Sequence, residues 1–240
     1  MLPKIGHRIG RLMRLLPNVT RVQNSRVSAY FHVPLFNHYV SKDIDELRHG
    51  RREPHLYRWI EGIADGSVLF DIGTNYGQES IWASRQRCKT IRTIGFDCGL
   101  LASHFCALNR ELNGGTFDFV FAVVGDSPGE MVTITTNSDT HIPRLHKKNV
   151  PYSYQVPCIS LDVFAAANDL SPTHLKIDVD GAEAAVIAGA KGLLSGDVLR
   201  EIFIEIDHVN VDLAQHITDY GFAIAWQNNK PENKEYLFTR

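Results

Sequence analysis

The chain has 240 residues, 44% hydrophobic and 22% charged. That composition excludes collagen-like, low-complexity and wholly disordered classes, and a chain of this length can bury a core without disulfides or a structural metal. The net charge of −2 hides an asymmetry: residues 1–60 carry 11 Lys/Arg against four Asp/Glu (+7), and the rest carry 14 against 23 (−9). The expected organisation is a basic extension over residues 1–52 ahead of a mildly acidic domain over residues 53–240.

Residues 1–26 hold six basic residues and no acid. Leu2, Ile5, Ile9, Leu12, Met13 and Leu16 fall near helical spacing with Lys4, Arg8, Arg11 and Arg14 between them. Such a stripe could lie on an anionic membrane surface or pack on the parent domain. Residues 28–40, rich in aromatics and histidine, read as irregular structure able to cover a pocket. Glu53 to Ala64 reads as a helix with Leu56, Trp59, Ile60 and Ile63 on one stripe.

Short apolar strands then alternate with helices: strand 67–71, helix 78–84, strand 91–97, helix 100–112. Strand 117–124 is expected to pair with 130–136 across the Gly125–Gly129 turn, and 137–154, with His141, Arg144, His146, Lys147 and Lys148, reads as loop. Strand 174–178, helix 182–189, strand 201–207 and helix 211–220 follow, and 222–226 with 235–239 close the chain as a hairpin. Buried apolar strands alternating with helices predict a mostly parallel α/β sheet flanked by helices.

Cys88, Cys98, Cys106 and Cys158 show no paired spacing, and without a secretory signal the expected compartment is the reducing cytoplasm, with contact at the inner membrane surface open to residues 1–26. The eleven histidines lack ligand spacing, which argues against zinc. No apolar run reaches the roughly 20 residues of a spanning helix.

Three segments carry chemistry. In the first, Phe70-Asp71-Ile72 runs into a Gly73-Thr74-Asn75-Tyr76-Gly77 turn and a helix. This is not the G-x-G-x-x-G dinucleotide fingerprint, and the carboxylate of Asp71 suits a ligand with cationic or donor groups better than one with phosphates. S-adenosylmethionine is such a ligand; a structural strand-to-helix turn is the bland alternative. In the second, Asp97 ends the next strand, where an acid can accept hydrogen bonds from adenosine ribose hydroxyls or simply cap a helix. The third is Leu175-Lys176-Ile177-Asp178-Val179-Asp180-Gly181-Ala182-Glu183, a strand that delivers closely spaced carboxylates. Such acids could include a base, hold a divalent cation, or serve as helix caps.

Together these segments resemble the FkbM-type S-adenosylmethionine-dependent O-methyltransferases. The residues that carry the resemblance are 70–77, 175–183 with Gly189-Ala190, and the strand Phe203-Ile204-Glu205-Ile206-Asp207-His208, over residues 55 to the C-terminus. The resemblance implies a class I methyltransferase fold, Rossmann-like, with a seven-stranded sheet and one antiparallel strand near an edge. It also implies methylation of a hydroxyl, often on a sugar, glycan or natural product. By position, Asp71, Gly73, Asn75 and Gly77 would line the methionine end of S-adenosylmethionine, Asp97 the ribose, and Phe121 and Ala122 the adenine. Asp178, Asp180, Glu205 and His208 would face the acceptor, with Asp178 or His208 as base. Asp97 and Asp180 stand where the family more often has Glu.

Two rivals differ in class. The basic extension suggests a nucleic-acid methyltransferase, but no Asn-Pro-Pro-aromatic motif follows strand 174–178; Asn149-Val150-Pro151-Tyr152 precedes it and lacks the first proline. A non-catalytic nucleotide-binding protein is the other, against which stand the acids at 71, 97 and 178.

Overall fold

The computed structural model describes residues 17–34, 37–136, 144–145, 152–210, 212–231 and 233–240. The apolar stripe of residues 2–16 lies outside them. The described chain begins with an antiparallel hairpin, β1 (Pro17–Gln23) and β2 (Ser28–Pro34). Its turn is held by Asn24, whose side-chain oxygen accepts from the N–H groups of Arg26 and Val27, both at 2.8 Å. Residues 28–34 are therefore a strand, not irregular structure. Ala29, Phe31 and Val33 are buried while Tyr30 and His32 are half-buried, which is the period-two pattern of a strand.

Helix α1 (His38–Arg48) starts at Asn37, whose side chain accepts from Val40 N–H, and α2 (Pro54–Gly62) starts with proline, which needs no N–H there. The alternating run follows as β3 (Val68–Ile72), α3 (Gln78–Ser84), β4 (Arg92–Asp97), α4 (Leu100–Leu112) and β5 (Asp118–Phe121).

Beyond β5 the expectation needs correction. The predicted strand 117–124 breaks at Ala122, whose N–H donates to the Asp97 carbonyl at 3.0 Å. Residues Val123–Val124 form β6 in a second sheet. Strand β7 (Met131–Thr136) does not pair back across the Gly125–Gly129 turn. It pairs with β8 (Arg144–Leu145) and β9 (Tyr152–Ile159), and β9 runs parallel to β6. The loop predicted over 137–154 thus contains β8 and the start of β9; His141, His146, Lys147 and Lys148 lie outside the described residues.

Helix α5 (Leu161–Ala167), unforeseen from sequence, is capped by Ser160. Then come β10 (His174–Ile177), α6 (Glu183–Ala188), α7 (Lys191–Ser195), β11 (Glu201–Asp207), α8 (Leu213–Asp219), β12 (Ala223–Asn229) and β13 (Asn233–Thr239).

The main sheet has the order β12-β13-β11-β10-β3-β4-β5. All neighbours from β11 to β5 are parallel, and β13 is antiparallel to both β11 and β12. This is the class I methyltransferase arrangement. Both faces are covered, so successive strand residues bury on opposite sides: Leu69 belongs to a core cluster with Phe31, Leu47, Ile60, Ile81 and Phe105, whereas Phe70 belongs to another with Leu161, Val186 and Leu213. The first of these clusters joins the hairpin and α1 to the helices over β3 and β4. The order reverses beside β3, so the crevice for a ligand falls at the carboxyl ends of β3, β4 and β10.

Candidate active site

Asp71 and Lys176 are register partners in the parallel pair β3–β10, so their side chains leave the sheet on the same face. Asp71 is fully buried. Its Oδ2 accepts from Thr74 Oγ1 (2.7 Å) and Ser80 Oγ (2.6 Å), and its Oδ1 lies 3.2 Å from Lys176 Nζ. Gly95, the partner of Asp71 on β4, makes room for those hydroxyls: a Cβ there would sit 2.8 Å from Ser80 Oγ and 2.9 Å from Thr74 Oγ1.

Lys176 is itself buried. It donates to the Gly73 carbonyl at 3.0 Å and lies 3.6 Å from Asp178 Oδ2. Burial alone would lower its pKa, but Asp71, Asp178 and Glu79 more than offset that and push it well up. A buried lysine between apolar neighbours had to have a carboxylate in register. That was the signal in Leu175-Lys176-Ile177 that pointed to no role when the sequence was read alone.

The turn after β3 spends its N–H groups inside the protein. Gly73 and Thr74 donate to the Phe96 carbonyl (2.9 and 3.0 Å), Gly77 to the Thr74 carbonyl (2.7 Å), and Asn75 to Asp97 Oδ2 (2.8 Å). Gly73, at φ +78°, lies against the end of β10, where a Cβ would come within 1.8 Å of the Asp178 carbonyl oxygen. Its required closeness is thus to the protein's own backbone. Asn75 takes φ +50°, and its buried Oδ1 makes no hydrogen bond among the described residues. A loop with an idle acceptor and committed N–H groups fits a ligand that brings donors, such as an ammonium, and not a phosphate.

Asp97 is bracketed by backbone donors, Gly99 N–H to Oδ1 at 2.7 Å and Asn75 N–H to Oδ2 at 2.8 Å. Burial pushes its pKa up to about 6 despite those bonds. Phe121 is its register partner on β5 and is 36% exposed, whereas Ala122 is buried.

Beyond the end of β10 Asp178 is partly exposed, and Asp180 is exposed with φ +46°. Glu205, on β11, accepts from Lys230 Nζ at 2.9 Å and from the Asn233 side-chain amide. Burial, and then the charge of Asp178, push Glu205 up to about 7, with Lys230 opposing. His208, beyond the end of β11, is exposed, and its Nε2 lies 2.9 Å from the Pro231 carbonyl. With Nε2 donating to that carbonyl, Nδ1 is the nitrogen left to take a proton.

Four residues at this edge were absent from the sequence expectation. Arg52 is half-buried and pairs with Asp43 at 3.0 Å, and with Glu53 and Glu79 at 3.9 Å. Glu79 accepts from Tyr57 OH at 2.8 Å. Glu53 takes φ +34° just before Pro54, and burial raises its pKa, with Arg52 opposing and Asp178 adding to the rise. Lys230 bridges Glu205 and Glu235. Among the described residues no three His, Cys, Asp or Glu converge as a metal-ligand set.

A family model described as the methyltransferase FkbM domain matches residues 71–234. The chain belongs to the FkbM methyltransferase family. It is an S-adenosylmethionine-dependent methyltransferase. Among solved structures this FkbM enzyme is similar to Trm5b from Pyrococcus abyssi, with TM-score 0.52 and 10% identity over 94% of this chain and 56% of that one. It is also similar to a ribosomal protein L11 methylase from Lactobacillus delbrueckii subsp. bulgaricus (TM-score 0.45, 14% identity, 79% of each chain). A third is TrmK from M. capricolum, in complex with S-adenosyl-homocysteine (TM-score 0.44, 12% identity, 76% of this chain and 66% of that one). At these identities the likeness concerns the fold. No curated protein matches the sequence. No helix among the described residues is long and apolar enough to cross a membrane.

Proposed function

We propose that this FkbM enzyme methylates a hydroxyl of a sugar, glycan or natural-product acceptor, and that Asp178 and Glu205 together take the proton of that hydroxyl. The observation that carries the reading is that these two carboxylates stand at the ends of the neighbouring parallel strands β10 and β11, where burial and then the charge of Asp178 push Glu205 up to about 7. A base is most useful when its pKa lies close to the working pH, and an aliphatic hydroxyl needs one.

S-adenosylmethionine supplies a methyl group already activated by its sulfonium. Asn75 Oδ1 and the β3–α3 turn would receive its methionine end, Asp97 its ribose, and Phe121 with Ala122 the adenine side. Aligning the acceptor oxygen with that methyl is the protein's main contribution, since proximity alone can supply several kcal/mol. Glu53, Asp178, Asp180 and Glu205 surround the reacting end with acid, which suits an acceptor rich in hydroxyls and opposes one whose phosphates approach the same point. Residues 1–26, basic throughout, suit an anionic membrane on which a lipid-linked glycan would be carried.

The test is methyl transfer from S-adenosylmethionine to a polysaccharide precursor pool and to a small polyketide alcohol, with Asp178→Asn beside the wild type. Transfer to the glycan pool that falls on the order of 10²-fold in Asp178→Asn, with S-adenosylhomocysteine affinity retained, is the expected result. A near-normal rate in the variant overturns the role of Asp178, transfer to neither acceptor overturns the acceptor class, and transfer to the polyketide alone overturns the glycan reading in favour of a natural product.

A further inference from the structure

Helix α4 begins without a side-chain cap of its own. Its N-cap is Gly99, which has no side chain to offer, and the first N–H groups of a helix have no intrahelical partner. The group that meets this need comes from the second sheet. Tyr154, on β9, accepts from Leu100 N–H at 3.2 Å and donates to the Cys98 carbonyl at 2.9 Å. One phenolic oxygen therefore spans both sides of Gly99, and only a group that is donor and acceptor at once can do so.

Gly99 N–H is also what holds Asp97 Oδ1. The other attachments of Asp97 are Asn75 N–H on Oδ2 and Ala122 N–H on its carbonyl oxygen. The Cys98–Leu100 turn is the remaining side of this frame, and Tyr154 pins it from 54 residues away. Leu100, at 49% exposure, is set beside Asp97 by the same contact.

We propose that Tyr154 is a positioning residue for cofactor binding, fixing the Cys98–Leu100 turn so that the Asp97 carboxylate faces the ribose hydroxyls. The inference rests on the reading that Asp97 holds the ribose. It assigns a task to β9, a strand outside the main sheet, and ties the second sheet to adenosine recognition. Phenylalanine fills the same space but loses both hydrogen bonds, so the frame would lose Gly99 N–H as a fixed donor while β9 keeps its packing.

The experiment is calorimetric titration of wild type, Tyr154→Phe and Asp97→Ala with S-adenosylhomocysteine, and competition with adenosine and with 2′,3′-dideoxyadenosine. Loss of two ordinary hydrogen bonds predicts roughly tenfold weaker S-adenosylhomocysteine binding in Tyr154→Phe. The preference for adenosine over the dideoxynucleoside should shrink by a similar factor. A purely structural role would lower the unfolding midpoint and leave that preference as in the wild type, and this outcome overturns the inference. If Asp97→Ala binds S-adenosylhomocysteine as the wild type does, the ribose reading of Asp97 fails. If Asp97→Ala is weakened and Tyr154→Phe is not, only the role of Tyr154 fails. Should Tyr154→Phe not fold, hydrogen exchange at Leu100 N–H in the wild type decides. Slowing by adenosine and not by the dideoxynucleoside supports the link, and equal slowing overturns it.

Discussion

At the β3–β10–β11 side of the sheet's carboxyl edge charge is held by charge: Lys176 lies between Asp71 and Asp178, Lys230 between Glu205 and Glu235, and Arg52 among Asp43, Glu53 and Glu79. At the β4–β5–β9 side a single acid, Asp97, is held by backbone N–H groups, in a turn that one phenol braces. The first arrangement sets the protonation state of its members, because moving any charge changes its neighbours. The second sets the direction of a carboxylate and changes little electrostatically. Proton removal needs the first and recognition of a neutral ribose needs the second, so the two sides should fail in different ways when broken.

The largest expected effect is on stability, at Lys176. Lys176→Met leaves Asp71 buried without its counter-charge, and truncating one partner of a buried pair costs about 3–5 kcal/mol. Urea denaturation should show a loss of that size. A loss below about 1 kcal/mol would mean that the hydroxyls of Thr74 and Ser80 suffice for Asp71.

The next effect separates the two sides by pH. Glu205 must be ionised to accept a proton, so kcat at saturating substrate should rise with pH and reach half its plateau at about 7. S-adenosylhomocysteine affinity should instead be steady at neutral pH and fall on acidification through about 6, where Asp97 takes up its proton and stops accepting. Because Asp178 raises Glu205, Asp178→Asn should move the residual kcat limb to lower pH and leave the binding limb in place. Glu205→Gln should abolish the kcat limb. A common midpoint for both profiles would dissolve the distinction between the two sides.

Much of the main sheet was legible in the sequence because its strands are buried on both faces and so read as unbroken apolar runs. Of the second sheet only β7 was read as a strand of its own, with the wrong partner. Strand β9 is a polar-apolar mixture with Pro157 inside it, and proline in a run argues against a strand unless its missing donor falls where none is needed. Strand β2 was missed because its outer edge is closed not by another strand but by side chains of α4. Asn113 accepts from Tyr30 N–H and donates to the Tyr30 carbonyl, and Asn109 accepts from His32 N–H. Nothing in a helical asparagine announces that use. The candidate site was legible where it is local: the acids at 71, 97 and 178 end strands. Their partners were hidden, since Lys176 meets Asp71 only through strand register and Arg52 comes from the segment read as a separate basic extension.

The smallest effect concerns Glu53, where the charge-on-charge side carries backbone strain. A non-glycine residue at φ +34° is disfavoured by about 1–2 kcal/mol, and here the following proline already restricts the backbone. Glu53→Gly relieves that strain and removes a carboxylate that opposes the ionisation of Glu205. It forfeits one contact to Arg52, at 3.9 Å, and adds chain entropy to the unfolded state. Stability should therefore rise slightly, by roughly 0.5 kcal/mol. The kcat limb should shift to lower pH by less than in Asp178→Asn, because Asp178 acts on Glu205 more strongly than Glu53 does. A variant that is less stable than wild type, with an unmoved limb, would place Glu53 with the purely structural ion pairs of Arg52 and outside the proton-handling group.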